Sequence, residues 1–170
     1  MKILIIGDAG AGKSTLAKQL ESQLGIPVYS TDDFLWVQKF SVKAEVHESV
    51  DKIKQVYRSD NWIVEGTTNY LVEPGFEPSD RIIYLGFTGI LSQWWALIKR
   101  HYIRQDESWK HTILLMRHVL YKRYKWGYKK NDPTILEMVK PFGDKLVVVQ
   151  SRNAKENLAK VQIHLPTNKN

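Results

Sequence analysis

Gly7 to Ser14 runs GDAGAGKS, which satisfies the spacing G-x-x-x-x-G-K-[ST] without gap or substitution. Gly7, Gly10 and Gly12 let the backbone adopt conformations that a Cβ would forbid, so that N–H groups converge on phosphate oxygens. A helix starting at this point adds the partial positive charge of its amino end. In such a loop Lys13 reaches the β- and γ-phosphates and the Ser14 hydroxyl ligates Mg²⁺. With Asp8, Ala9 and Ala11 completing the loop and Thr15 continuing into the helix, residues 7–15 are the expected site of ATP·Mg²⁺. A chance glycine-rich turn would lack the right flanks. Here Lys2-Ile3-Leu4-Ile5-Ile6 precedes, an apolar run suited to a buried parallel strand. Thr15-Leu16-Ala17-Lys18-Gln19-Leu20-Glu21 follows, with the pattern of a helix.

Acidic residues come next. Thr31-Asp32-Asp33 follows a short apolar stretch, so it is expected at the same sheet edge as the glycine loop. A carboxylate there can orient an acceptor hydroxyl or take its proton, and Asp32 and Asp33 both qualify. The competing role is a helix cap supplied by Thr31 or Asp32. Glu65 closes another apolar run, Trp62-Ile63-Val64. It can orient Mg²⁺ through a water, as can Asp32, or hold the acceptor, or bond to Thr67 or Thr68 within its own turn.

The basic residues are unevenly placed. The net charge is +7, yet residues 96–130 alone carry ten Lys/Arg against two Asp/Glu, so the rest of the chain is close to neutral. Arg100 and Arg104 stand i, i+4 and share a helix face. On a lid they would neutralise charge on a transferred phosphoryl group; otherwise they belong to a solvated face. Residues 110–125 place Ile113, Met116, Val119, Leu120 and Tyr124 on one side of a helix. Arg117 and Arg123 lie at the borders of that side. Pointing inward, each would need an anion, carboxylate or phosphate. Aromatic side chains interleaved with the basic ones, among them Trp94, Tyr102, Trp109 and Trp126, also suit nucleic acid, through phosphate contacts and stacking. Three of the five histidines fall here too, but without cysteine or a His-x-x-x-His pair they do not suggest a metal site.

The elements that must position these groups alternate in type. Strands are expected at 2–6, 26–29, 61–66, 80–86 and 145–149. Helices are expected at 13–24, 43–58, from about 90, 110–125 and 153–162, with Gly25 as a helix stop and Ser151 or Asn153 as the last cap. The 43–58 helix would use Val42, Val46, Val50, Ile53 and Tyr57 as its apolar face. Val72 to Pro78 carries the signals of a turn-rich loop. Five short apolar strands between helices imply one parallel sheet covered on both faces. A chain of 170 residues is the size of one such domain. It has no cysteine, no apolar run long enough for a membrane span and no secretory core after Met1-Lys2, so a cytoplasmic protein without a membrane partner is expected.

The glycine loop, Tyr29-Ser30-Thr31-Asp32-Asp33-Phe34-Leu35-Trp36 and Trp62-Ile63-Val64-Glu65-Gly66 together resemble the topology-modulation proteins, small bacterial P-loop proteins of the adenylate-kinase-like group. The resemblance runs over most of the chain. It implies a three-layer α/β/α P-loop fold with a five-stranded parallel sheet of nucleotide-kinase type. It further implies an acceptor-binding helical segment at about 34–60, a mobile lid at about 100–128, and Arg152 of Ser151-Arg152-Asn153 near the adenine. Two positions depart from related small-molecule kinases. Ser30 stands where the first residue of Asp-x-Asp is common, which leaves Asp32 or Asp33 to suffice, and the fourth strand ends Leu85-Gly86 in place of Leu-Asp. The leading expectation is an ATP-dependent kinase for a small acceptor such as a nucleoside, nucleotide or hydroxyl metabolite. The alternative is a nucleotide-binding regulator that touches nucleic acid through residues 96–130.

Overall fold

The computed structural model describes residues 1–38, 42–87, 89–103, 109–124, 133–150 and 154–164; at 37, 38, 42, 43, 100, 103, 111, 122, 123, 154, 155, 163 and 164 the backbone alone is described. Strands β1 (Lys2–Gly7), β2 (Val28–Ser30), β5 (Trp62–Gly66), β6 (Arg81–Leu85) and β7 (Leu146–Val149) form one sheet in the order β2-β5-β1-β6-β7. All of its pairings are parallel. This is the order of an open α/β sheet in which β1 is flanked by two strands that follow it in the chain. The crevice at the carboxyl ends of β1 and its neighbours is where such sheets receive ligands.

Residue alternation along β1 explains the two covering layers. Leu4 and Ile6 face one side with Trp62, Val64, Ile82 and Tyr84, under helices α3 (Val46–Arg58), α4 (Asn69–Val72) and α7 (Ile135–Val139). Ile3 and Ile5 face the other with Ile63, Ile83, Leu85 and Val149, under α1 (Lys13–Leu24) and α8 (Ala154–His164). The β1 isoleucines and leucine are fully buried, and each stabilises the fold by roughly 1.5–3 kcal/mol relative to exposure. α1 ends at Gly25, whose left-handed φ of 66° lets its N–H return to Glu21 O at 2.9 Å. Among the described residues no helix is long and apolar enough to cross a membrane.

Several expectations about the helical parts are corrected. The helix placed at 43–58 begins at Val46, because Trp36–Gln38 (β3) and Val42–Lys43 (β4) pair as an antiparallel hairpin and Ala44 N–H donates to Leu35 O at 3.0 Å. Val42 is therefore not on that helix. Val46 is exposed, and the buried face of α3 is Ser49, Ile53 and Tyr57. The segment at 72–78 is turn-rich as expected: after Val72, the last residue of α4, come a 3-10 turn at Glu73–Gly75 and turns at 76–78, with Val72 and Phe76 buried in the core. α5 (Ile90–Ile103) and α6 (Trp109–Tyr124) pack together, and the apolar side expected on α6 holds only in part. Val119 is buried as expected, but Ile113 and Tyr124 are exposed and Thr112 is buried, its hydroxyl 3.2 Å from His101 Nδ1 of α5. A polar residue thus takes part in the helix contact because its hydroxyl finds a partner there. The cap expected at Ser151 or Asn153 lies outside the described residues.

Candidate functional site

β1 ends at Gly7 against β6. A Cβ on Gly7 would stand 1.9 Å from Leu85 O, and the φ of 136° is one that a side chain resists. Glycine is thus required on two counts where the chain leaves the sheet. Asp8 N–H then donates to Leu85 O at 2.8 Å, and Ala11 N–H closes the loop onto Asp8 O at 3.2 Å. Gly10, at the crest of the loop, has a φ of 82° and lies against α5, where a Cβ would stand 3.3 Å from Leu97 Cδ2. Its left-handed backbone, more than the space around it, is what calls for glycine. Gly12, at φ 89°, precedes α1 without any side-chain cap, so the helix presents its first N–H groups with no side chain filling them. That is the geometry of an anion site.

Lys13 is buried, at 8% exposure, and its ammonium donates to Gly7 O (3.3 Å) and Asp8 O (2.8 Å). The charge is held against the start of the loop by carbonyl dipoles. Ser14 and Thr15, the next residues of α1, are exposed. From them a groove of about 670 Å³ runs past Lys18, Gln19, Ser22 and Gln23, with Leu158 of α8 also lining it.

The parallel register brings a carboxylate to the same place. Glu65 pairs with Ile5 of β1 on one side and with Ser30 of β2 on the other. It is buried, and its Oε1 accepts from Ser14 Oγ (3.0 Å) and from Ser30 Oγ (2.9 Å). The alternative in which Glu65 bonds Thr67 or Thr68 is thereby corrected: its carboxylate points back to the phosphate loop. Ser30 also caps the short helix α2 (Thr31–Leu35), accepting from Asp32 N–H at 3.4 Å. The cap is neither Thr31 nor Asp32, because Thr31 is fully buried beside Gly66. Asp32 and Asp33 are both exposed on the first turn of α2.

Asp8 has a role that the motif alone did not reveal. Its Oδ2 accepts from Phe87 N–H (3.1 Å) and its Oδ1 from Tyr84 OH (3.4 Å). Gln93 of α5, itself buried, donates from Nε2 to Ala9 O at 3.3 Å. The phosphate loop is thus fastened to the exit of β6 and to α5. The departure at Leu85-Gly86 was the available signal: with no carboxylate at the end of β6, the one on Asp8 takes the free N–H of Phe87. Ser30 was likewise passed over as a missing acid.

The arginines are only partly placed. Arg100 lies on α5 and Arg123 on α6, each with its backbone alone described, and Arg104 and Arg152 lie outside the described residues. Arg117 is exposed, with its guanidinium 5.9 Å from the Tyr121 ring. The expectation that it turns inward toward an anion is corrected; a ring face on its own helix takes the cation.

No family model matches the chain. Over 80 residues, 47% of its length, the chain is 32% identical to an adenylate kinase of Thermosipho melanesiensis, of which it covers 36%. Over 79 residues, 46% of its length, it is 33% identical to an adenylate kinase of Clavibacter michiganensis, of which it covers 38%. It therefore spans little more than a third of the curated relatives it matches. Among solved structures it is similar to shikimate kinase from Bacteroides thetaiotaomicron, with a TM-score of 0.62 at 14% identity over 96% of this chain and 98% of that one. A gluconokinase from Sinorhizobium meliloti gives 0.53 at 12% identity over 94% and 87%. These likenesses, with the strand order and the glycine loop, show an α/β/α fold of the P-loop kinase type.

Proposed function

We propose that the chain is an ATP-dependent kinase that moves the γ-phosphoryl group of ATP to a hydroxyl of a small acceptor, a nucleoside, nucleotide or other hydroxyl metabolite. One observation carries this reading. Lys13 and the Ser14 hydroxyl, at the start of α1, and the buried Glu65 carboxylate of β5 meet at one corner of the sheet edge. The sequence likeness to adenylate kinases supports it. The closer placement among topology-modulation proteins belongs to the same proposal and rests on Asp32-Asp33-x-x-Trp36 and Trp62-Ile63-x-x-Gly66.

The corner suits Mg²⁺. Its donors are a hydroxyl and a carboxylate, both hard oxygens, and no cluster of three or more His, Cys, Asp or Glu is found among the described residues. Mg²⁺ is commonly held by one or two protein oxygens together with substrate phosphates, and does not need an all-protein cage. Ser14 would ligate it and Glu65 would orient it through water; the ion supplies neutralisation of phosphate charge.

The chain's own groups do the rest. Loop N–H groups, those of Gly10 and Gly12 among them, and the ammonium of Lys13 hold the phosphates. Asp32 or Asp33 orients the acceptor hydroxyl and takes its proton as the acceptor oxygen bonds to the γ-phosphorus and the bond to the bridging oxygen of ADP breaks. Arg100 and Arg104 would close over the transferred group from a lid, and Arg152 would serve the base. Lys13→Ala is expected to lower ATP turnover by at least about 10²-fold while circular dichroism and melting temperature stay near the parent values. ATP turnover retained in that variant, against a screen of nucleosides, nucleotides and hydroxyl metabolites, would overturn the proposal.

A second reading is favoured by exposure on the α5–α6 pair. Tyr102 and Trp109 are exposed beside the exposed Lys99 and Lys110, rings and ammonium groups suited to single-stranded nucleic acid. It requires DNA or RNA affinity that falls steeply with salt, and no binding at low salt sinks it.

A further inference from the structure

Around Glu65 the hydrogen bonds have a fixed polarity. Asp32 N–H donates to Ser30 Oγ at 3.4 Å, Ser30 Oγ–H donates to Glu65 Oε1 at 2.9 Å, and Ser14 Oγ–H donates to the same oxygen at 3.0 Å. A serine hydroxyl has one hydrogen and two lone-pair directions. Once the Ser14 hydrogen is committed to Glu65, its lone pairs face away from the carboxylate, where a metal ion at the phosphate loop would meet them. The orientation of Ser14 is therefore only as good as the position of Glu65. Glu65 is buried, and its second donor, Ser30, stands on the adjacent strand of the sheet in register with it.

We propose that Ser30 is a positioning residue for the metal-dependent part of nucleotide binding: its hydroxyl fixes Glu65, and Glu65 fixes Ser14. The inference rests on the kinase reading above only in that a metal–nucleotide complex binds at residues 7–15. It assigns work to the position at which a carboxylate had been expected. A neutral donor at Ser30, 2.9 Å from Glu65 Oε1, leaves that carboxylate charged beside Ser14, whereas a second carboxylate within hydrogen-bond reach would favour protonation of one of the two. Ser30 also ties this corner to the one that presents Asp32 and Asp33. Its hydroxyl oxygen caps α2 while its hydrogen holds Glu65, so the nucleotide corner and the acceptor corner share one side chain.

The measurement is calorimetric titration of the full chain with ATP, once with excess Mg²⁺ and once with EDTA, for the parent, Ser30→Ala and Ser30→Thr. In the parent Mg²⁺ is expected to strengthen ATP binding. In Ser30→Ala that gain is expected to shrink about tenfold, the size expected for losing a hydrogen bond to a charged group, with affinity in EDTA unchanged. Ser30→Thr, which keeps the hydroxyl, is expected to restore the gain. A merely structural role for Ser30 would weaken binding equally with and without Mg²⁺, and that outcome overturns the proposal. So does a full Mg²⁺ gain in Ser30→Ala, which leaves the kinase reading standing. Absence of any ATP binding by the parent overturns both. Melting curves of the two variants guard against misfolding; if Ser30→Ala does not fold, a Mg²⁺ gain in Ser30→Thr below about one tenth of the parent value overturns the inference.

Discussion

Glu65 shows how a single carboxylate acquires its chemistry from its neighbours. Its Oε1 accepts two serine hydroxyls. Glu65→Gln keeps a carbonyl oxygen able to accept both, so the fold is expected to survive with a melting temperature close to the parent. What disappears is the negative charge beside Ser14. Titration should then show weaker ATP binding in Mg²⁺, by about tenfold or more, and equal or tighter binding in EDTA, where a buried anion near phosphate only repels. Equal Mg²⁺ dependence in the variant and parent would remove Glu65 from the metal corner. The sequence marked Glu65 by its place at the end of an apolar run, but not the direction in which its side chain turns. That direction depends on Ser14 and Ser30, which are 51 and 35 residues away along the chain.

Short elements set the site's dimensions. α2 is only five residues long, so its placement comes from contacts and not from helix propensity. Thr31, its first residue, packs against Gly66 at the end of β5, where a Cβ would stand 1.9 Å from Thr31 Oγ1. Gly66→Ala is accordingly expected to push α2 outward and cost about 1–3 kcal/mol in denaturant unfolding. Thr31→Ala in the same chain should recover part of that loss, and strictly additive effects of the two substitutions would show that the contact is unimportant. β1, α1, β5 and β6 were legible because each carries a full period of apolar residues on its own. The β3–β4 hairpin, α4 and α7 were not: strands of three and two residues are not continuous apolar runs, and helices of four and five residues are little more than one turn, too short to show a helical period. The face of α6 was misjudged for a related reason: Thr112 is buried through a bond to His101, and hydropathy counts it as polar.

The molecule as a whole is a sheet with two separate apolar layers, and its titration reports their burial. Tyr57 lies in the layer under α3, donating its hydroxyl to Leu71 O at 2.8 Å and meeting the Trp62 ring edge-on with centroids 5.0 Å apart. Burial raises its pKa above the ordinary tyrosine value. The folded state thus keeps this proton where the unfolded chain loses it. Stability tied to Tyr57 is complete below about pH 10 and declines as the pH rises beyond it. The melting temperature of the parent should fall more steeply above that pH than that of Tyr57→Phe, which is itself about 1–2 kcal/mol less stable at neutral pH because Leu71 O loses its donor. Parallel alkaline melting profiles for the two proteins would rule out this account.

What the sequence by itself determined is local. The glycine loop, its flanking strand and helix, and the alternation of apolar strands with helices follow from residue spacing within windows of about a dozen positions. Tertiary structure decided which groups work together. Parallel pairing sets Ser30 beside Glu65, the close passage of β1 along β6 brings Asp8 to Phe87 N–H, and α5 carries Gln93 onto Ala9 O. Each of these meetings joins residues 35 to 84 positions apart. Strand order and register create them, and no periodicity within a segment encodes either.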